Sequence, residues 1–135
     1  MTIKYYLDTS IWLDFYEKRG ANGEKALKLI LKIIEEDHII LYSDLHILEF
    51  KNFGFNAETI VKIFSIAKPR NILRVHIYRE QQDEARKIAF ARKIPKKDVL
   101  HAILARDNDA QLVATDVHFQ KISDIAKAKR PEELI

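Results

Sequence analysis

The length and composition of the chain already limit what it can be. Its 135 residues suffice for a single domain spanning residues 1–135, and 47% hydrophobic with 32% charged residues argues against intrinsic disorder. The absence of cysteine excludes disulfides and thiolate metal sites, and it fits the cytoplasm, where we expect the protein. No apolar run is long enough to span a membrane, and a net charge of +3 permits a polyanionic partner without requiring one.

Hydrophobic patterning predicts strands that alternate with helices along the chain. β-branched and aromatic runs predict strands, whereas apolar residues at three- and four-residue steps predict helices. The predicted strands cover residues 3–7, 38–42, 72–77 and 111–115, with a weak fifth strand near Ile125. The predicted helices cover residues 11–16, 24–34, 44–49, 57–67, 79–92 and 97–106, with a short one near Phe119 and a loop at residues 19–23. This order predicts an α/β fold, a three-layer α/β/α sandwich with a central parallel sheet of four to five strands.

Four acidic residues fall close to one edge of that predicted sheet. Asp8 ends the first strand and Asp116 follows the fourth, and ligands of open α/β sheets bind at the carboxyl ends of strands. Glu49 and Asp98 lie on helices that begin near the same edge. Taken singly, each has an ordinary explanation, such as helix capping for Asp8 or a turn for Asp116. The joint placement of all four is what indicates a site.

Four converging carboxylates would require compensation of their charge. Two carboxylates about 4 Å apart repel each other by about 4 kcal/mol at an effective dielectric constant of about 20. Protons or cations must therefore neutralise the cluster. A hard divalent ion with oxygen ligands fits best, so Mg²⁺ or Mn²⁺ is the expected cofactor. Such an ion assists phosphodiester hydrolysis by lowering the pKa of bound water and by neutralising charge on the phosphoryl oxygens.

The residues around these acids resemble the motifs of the PIN domain family, and within it those of the VapC-type toxin ribonucleases. The four motifs are Tyr6-Leu7-Asp8-Thr9-Ser10, Ser43-Asp44-Leu45-His46-Ile47-Leu48-Glu49, Pro95-Lys96-Lys97-Asp98-Val99-Leu100-His101-Ala102 and Leu112-Val113-Ala114-Thr115-Asp116-Val117-His118-Phe119. Each motif alone is weak, but their order and spacing resemble the family from residue 4 to about 134. The resemblance implies a metal-dependent endoribonuclease with an RNA substrate, a homodimeric state and a cognate antitoxin protein that blocks the site.

The resemblance also implies a role for each acid. Asp8 and Asp98 match the principal metal ligands, and Asp116 matches a further ligand, direct or through water. Glu49 matches the residue that orients or deprotonates the attacking water. All four are therefore the candidate catalytic residues, and the first three are the candidate metal ligands.

Several neighbouring polar residues are candidates for supporting roles. The hydroxyls of Ser10 and Thr115 match positions that could hydrogen-bond the carboxylates, whereas for Thr9 we favour ordinary helix capping. Candidate RNA contacts are Lys96, Lys97 and His118. The five histidines show no pair at metal-ligand spacing, so no zinc site is predicted.

Three other functions remain open on the sequence. A PIN-like domain could bind RNA or protein without catalysis, although the intact set of four acids argues against this. A housekeeping RNA-processing nuclease could carry the same four acids. Asp8 at a strand end could also accept a phosphoryl group, but haloacid-dehalogenase-type chemistry usually needs a second aspartate two residues later, where this chain has Ser10.

Overall fold

The computed structural model describes residues 1–135 and contains a five-stranded, wholly parallel sheet. The strands are β1 (Lys4–Leu7), β2 (Ile39–Tyr42), β3 (Ile72–Arg74), β4 (Gln111–Val113) and β5 (Ala128–Lys129). The helices are α1 (Thr9–Tyr16), α2 (Gly20–Glu35), α3 (Asp44–Asn52), α4 (Ala57–Phe64), α5 (Arg79–Arg92) and α6 (Lys96–Asp107). Short 3₁₀ turns cover Pro69–Asn71, Val117–Ile122 and Pro131–Glu133. None of the helices is long and apolar enough to cross a membrane.

Helices cover both faces of the sheet. Successive residues of β1 point to opposite faces, so they pack into two different cores. Tyr5 and Leu7 pack into a core shared with α1, α2 and α4. Tyr6 packs into a second core shared with α5 and α6. Side chains of β1 are buried on both faces, as expected for the central strand of a parallel sheet. The predicted α/β sandwich is confirmed.

The strand order β3-β2-β1-β4-β5 puts the centre of the sheet at β1. The chain builds outward from β1 to β3 on one side and then returns to add β4 and β5 on the other. Leu7 of β1 pairs with Val113 of β4, so the ends of these strands lie side by side. This is the topological switch point, where open α/β sheets leave a crevice at the carboxyl ends of their strands. Asp8 and Asp116 follow the two strands that border it.

Two local predictions are wrong. Residues 20–23 are helical and not a loop, because Gly23 lies where α2 crosses α1 and serves close packing there. A Cβ at Gly23 would lie 2.6 Å from the backbone oxygen of Asp14. The last strand is Ala128–Lys129, and Ile125 is instead a buried core residue. In addition, β3 ends at Arg74 and β4 ends at Val113, which makes both strands shorter than predicted.

Candidate active site

All four predicted acids lie at the carboxyl edge of the sheet, at different depths. Asp8 directly follows β1 and is 5% exposed, and its carboxylate makes no capping hydrogen bond to α1. Asp98 lies in the first turn of α6 and is 7% exposed. Glu49 projects from α3 with a mostly buried side chain, whereas the carboxylate of Asp116 is about half exposed. A capping role therefore does not explain the burial of Asp8.

The charges of these carboxylates interact with one another. The pKa of Asp8 is raised to about 6, mainly by burial. The charges of Glu49 and Asp98 also raise this pKa, whereas His101 has a lowering effect. Burial also raises the pKa of Asp98, where His118 has a lowering effect and the charge of Asp116 a raising one. The carboxylates thus form a row in the order Glu49, Asp8, Asp98, Asp116, in which neighbouring charges interact. The row brings together the four acids that the sequence predicted to converge.

Glu49 is held by two donors at a single oxygen. The Nε2 atom of His101 lies 2.5 Å from Glu49 Oε1, and the hydroxyl of Thr9 donates to the same oxygen at 3.0 Å. A carboxylate only accepts hydrogen bonds, so His101 Nε2 carries the proton. Burial raises the pKa of Glu49, but the bonds from His101 and Thr9 outweigh it and the net pKa is lowered. Glu49 is therefore kept ionised and oriented.

A chain of buried hydrogen bonds supports His101 from behind. Its Nδ1 atom lies 2.7 Å from the hydroxyl of Tyr6, which lies 3.1 Å from Ser43 Oγ. Next to Ser43, Nδ1 of His46 accepts from the Ser43 backbone amide and its Nε2 donates to the carbonyl of Leu7 at 2.6 Å. Burial lowers the pKa of His46 to about 3, so this ring stays neutral. The network fixes the ring orientations behind the carboxylates.

The exposed end of the row contains a third histidine. His118, in the 3₁₀ turn after β4, has its Nδ1 atom 2.9 Å from Asp98 Oδ2 and 3.3 Å from Asp116 Oδ1. Its backbone amide also donates to Asp116 Oδ1 at 2.9 Å. Asp98, Asp116 and His118 each offer a ligand atom, and these three atoms lie within 4.8 Å of one another.

Comparison with known proteins identifies the family. The family model described as "PIN domain" matches residues 5–125, which include all four acids. The chain belongs to the PIN domain family. No curated protein resembles it closely enough in sequence to give a significant match.

Two solved structures share the fold of this PIN domain. VapBC2 from Rickettsia felis, bound to a DNA fragment from its promoter, matches with a TM-score of 0.69 and 17% identity, over 95% of this chain and 98% of that chain. FitAcB from Neisseria gonorrhoeae matches with a TM-score of 0.60 and 18% identity, over 96% of this chain and 99% of that chain. At such low identity the likeness is one of fold.

The donor set of this PIN domain fits a divalent cation. Two carboxylates and an imidazole approach one another at the end of the row, and these are groups that bind divalent metal ions. Deeper in, Asp8 is buried with no side-chain donor within hydrogen-bond distance, and its nearest side-chain nitrogen is His101 Nε2 at 3.9 Å. A buried carboxylate with a raised pKa is costly to ionise, and a cation beside it would offset that cost.

The hydroxyl groups are arranged differently from the sequence prediction. Thr9, for which capping was favoured, bonds Glu49 and lies 3.3 Å from His101, so that prediction is wrong. Ser10 is the next residue on α1 and its side chain faces solvent, because one helical step rotates it away from the site. Neither Ser10 nor Thr115 makes a side-chain hydrogen bond to the carboxylates.

Two clefts adjoin the ends of the row. A cleft of about 260 Å³ begins at Asp116 and continues past Lys127 and Arg130, of which Lys127 makes no ion pair. A smaller cleft of about 140 Å³ lies beside Glu49. It is lined by Asn52, Phe53 and Lys97. The ammonium group of Lys97 lies 4.0 Å from Glu49 Oε2, and the neighbouring Lys96 is exposed.

Sequence reasoning missed the roles of His46 and His101, and it named His118 only as a candidate RNA contact. His101 follows Asp98 by three residues, so helical spacing alone puts both on one face of α6 and could have indicated it. His46 likewise precedes Glu49 by three residues on α3. The hydrogen bonds themselves join residues as far apart as Tyr6 and His101, and no local pattern reveals such a pairing.

Proposed function

We propose that this PIN domain is a divalent-metal-dependent endoribonuclease, acting as the toxin of a VapBC-type toxin–antitoxin pair in the cytoplasm. The observation that carries the proposal is the row of four interacting carboxylates at the switch point of the sheet. PIN domains are typically nucleases, and a cleft with several acids and flanking cations suits metal-assisted attack on a phosphodiester.

In this proposal Asp8, Asp98 and Asp116 hold Mg²⁺ or Mn²⁺. Two of them are nearly buried, so they bring concentrated negative charge into a site with little competing solvent. When bound, the ion lowers the pKa of water and neutralises charge on the phosphoryl oxygens. The raised pKa of Asp8 supports this role, because burial and the charges of Glu49 and Asp98 disfavour its ionised form in the protein alone.

Glu49 is proposed to orient the attacking water. Its Oε1 atom already receives hydrogen bonds from His101 and Thr9, which leaves Oε2 to accept one from water. The lowered pKa of Glu49 makes it a weak base that remains ionised, which favours orientation of the water over removal of its proton. His101 and Thr9 act through Glu49 and are positioning residues.

The clefts beside the acids support a nucleic-acid substrate. The side chains of Lys127 and Arg130 suit phosphate groups, and Phe53, which is 59% exposed beside Glu49, suits stacking on an unpaired base. Lys96 and Lys97 precede Asp98 and would add positive potential beside the row, as the sequence predicted. We therefore propose that an RNA strand crosses the carboxylates from one cleft to the other.

The family resemblance and a fold neighbour also support partner proteins. VapBC2, a fold neighbour, carries the name of the family that the sequence motifs resemble, and this supports a cognate antitoxin. We also propose a homodimer. Co-expression with the product of an adjacent small reading frame, followed by measurement of the mass of the purified complex, tests both. Failure to co-purify, or a monomer at all concentrations, would contradict them.

The decisive experiment is RNA cleavage by the purified protein. We expect cleavage in Mg²⁺ or Mn²⁺ that EDTA abolishes and that Asp8→Asn or Asp98→Asn lowers by at least about 100-fold, since each removes one charge from the ion site. Asp83→Asn is the matched control, because Asp83 lies on α5 with a half-exposed side chain and pairs with Arg86. Full activity of the two site variants would overturn the proposal.

The same assay separates the alternatives. A binding domain without catalysis would retain RNA in a filter-binding assay yet cleave none in any metal. Phosphorylation of Asp8 by a small phosphodonor, detected as an added mass of phosphate, would instead support a phosphoryl acceptor. We expect neither result. A housekeeping nuclease would cleave RNA equally well but would have no inhibitory partner protein.

A further inference from the structure

His118 places one ring nitrogen between two carboxylates, and a single hydrogen bond accounts for only one of the two contacts. Its single Nδ1 atom lies within 2.9 Å of Asp98 Oδ2 and 3.3 Å of Asp116 Oδ1. One ring nitrogen carries at most one proton, so it cannot donate a full hydrogen bond to both carboxylates. Asp116 Oδ1 in addition already accepts the backbone amide of His118. Apart from that amide hydrogen, the three electron-rich atoms share at most the one proton on Nδ1 while both carboxylates are ionised.

The spacing matches that of ligands around one metal ion. Ligands at right angles on an octahedral ion with bonds of about 2.1 Å lie about 3.0 Å apart. Both distances from His118 Nδ1 agree with this spacing, and all three donor atoms fall within 4.8 Å. The side chain of Asp98 is only 9% exposed, whereas that of Asp116 is about half exposed. The three donor atoms are therefore buried on the Asp98 side and open to solvent on the Asp116 side.

Neighbouring groups do not supply the missing positive charge. Lys97 lies next to Asp98 in sequence, yet its ammonium group approaches Glu49 and not this trio. Lys127 and Arg130 line the cleft beyond Asp116, but Lys127 makes no ion pair with the trio and Arg130 pairs with Glu132 at 3.9 Å. His101 faces Glu49 and Asp8 with its Nε2 atom. A cation is therefore the partner that the three donor atoms lack.

We propose that His118 is a nitrogen ligand of the metal ion, together with Asp98 and Asp116, and that it makes the site prefer Mn²⁺ over Mg²⁺. The inference rests on the proposed metal-dependent function and refines the ligand set inferred from the sequence. Mg²⁺ selects oxygen ligands and retains its waters, whereas imidazole nitrogen is a better ligand for transition-metal ions. The preference is a property of His118, because the remaining ligands are carboxylates.

Binding of Mn²⁺ to the metal-free full chain, without RNA, tests the proposal. Electron paramagnetic resonance measures free Mn²⁺, and its electron spin-echo form detects coupling to an imidazole nitrogen. We expect the wild type to show this coupling and His118→Ala to lose it, with at least about ten-fold weaker Mn²⁺ binding. Mg²⁺ affinity, measured by competition, should change far less. His76→Ala is the matched control, since His76 is exposed and distant from the acids in sequence.

His118→Asp gives a second, independent readout. It replaces nitrogen by oxygen at the same position, so we expect it to bind a divalent ion without nitrogen coupling and with the Mn²⁺ preference reduced. Unchanged Mn²⁺ affinity and retained nitrogen coupling in His118→Ala would overturn the inference. Mn²⁺ binding with nitrogen coupling but no RNA cleavage would contradict the proposed function alone. Metal-dependent cleavage without nitrogen coupling would contradict the role of His118 alone.

Discussion

At the scale of single residues, the site depends on how each carboxylate is compensated. Glu49 accepts hydrogen bonds from His101 and Thr9, which lower its pKa and keep it ionised. Asp8 is equally close to the sheet but lacks a side-chain donor, and burial raises its pKa to about 6. Two acids in one cluster are thus held in different electrostatic states. Such separation of pKa values is characteristic of functional sites and suits a division of tasks between orienting water and binding metal.

Replacement of His101 tests the positioning of Glu49. We expect His101→Ala to lower kcat for RNA cleavage by about 10- to 100-fold with little change in KM, because Glu49 loses its main donor. His101→Gln should recover part of the loss, since its amide can reach the position of Nε2. Circular dichroism and thermal melting verify that both variants fold. A fully active, folded alanine variant would show that the bond is not needed.

The raised pKa of Asp8 predicts a dependence of stability on pH. Its pKa is about 6 when folded and about 3.9 when unfolded, so between these values the folded state binds more protons. The group therefore lowers the free energy of unfolding as pH rises from 4 to 7, by about 2 to 3 kcal/mol. In EDTA, Asp8→Asn should gain stability relative to the wild type over this range. Urea titrations at pH 4 and pH 7 measure the difference, and a pH-independent difference would contradict the assignment.

At the scale of secondary-structure elements, the sequence was informative wherever a pattern is local. Period and β-branching predicted the sheet and the helices, and strand ends indicated Asp8 and Asp116 as neighbours. The start of α2 at Gly20 was missed because its cause lies in the contact of Gly23 with α1. The two-residue β5 is too short to produce a pattern of its own. The role of Thr9 was missed because its partner Glu49 is 40 residues away.

The contact between α1 and α2 gives an element-scale prediction. Gly23→Ala adds a Cβ that would lie 2.6 Å from the backbone oxygen of Asp14, which cannot move away as a flexible side chain would. Overpacking of this kind costs about 1 to 3 kcal/mol, and alanine's better helix propensity returns at most about 1 kcal/mol. We expect a lower melting temperature for Gly23→Ala. Asn22→Ala, one exposed position earlier, is the control and should be neutral or slightly stabilising.

At the scale of the whole molecule, the sheet topology determines where the acids of the site come together. The reversal of strand order at β1 leaves the crevice in which the acids gather, and α3 and α6 bring Glu49 and Asp98 to the same edge. The PIN family match and the two fold neighbours agree with this architecture. The central claim is that the assembled carboxylates direct metal-assisted attack of water on an RNA phosphodiester.

Identification of the ends of the RNA products tests that claim most directly. Attack by water does not use the ribose 2′-hydroxyl, so no 2′,3′-cyclic phosphate should form. Mass spectrometry of a short oligoribonucleotide after cleavage in Mg²⁺ or Mn²⁺ should detect products without cyclic phosphate. In EDTA we predict no cleavage products. An oligonucleotide with 2′-deoxyribose at the cleaved position should still be cut. Cyclic phosphate ends, or cleavage that continues in EDTA, would contradict the account.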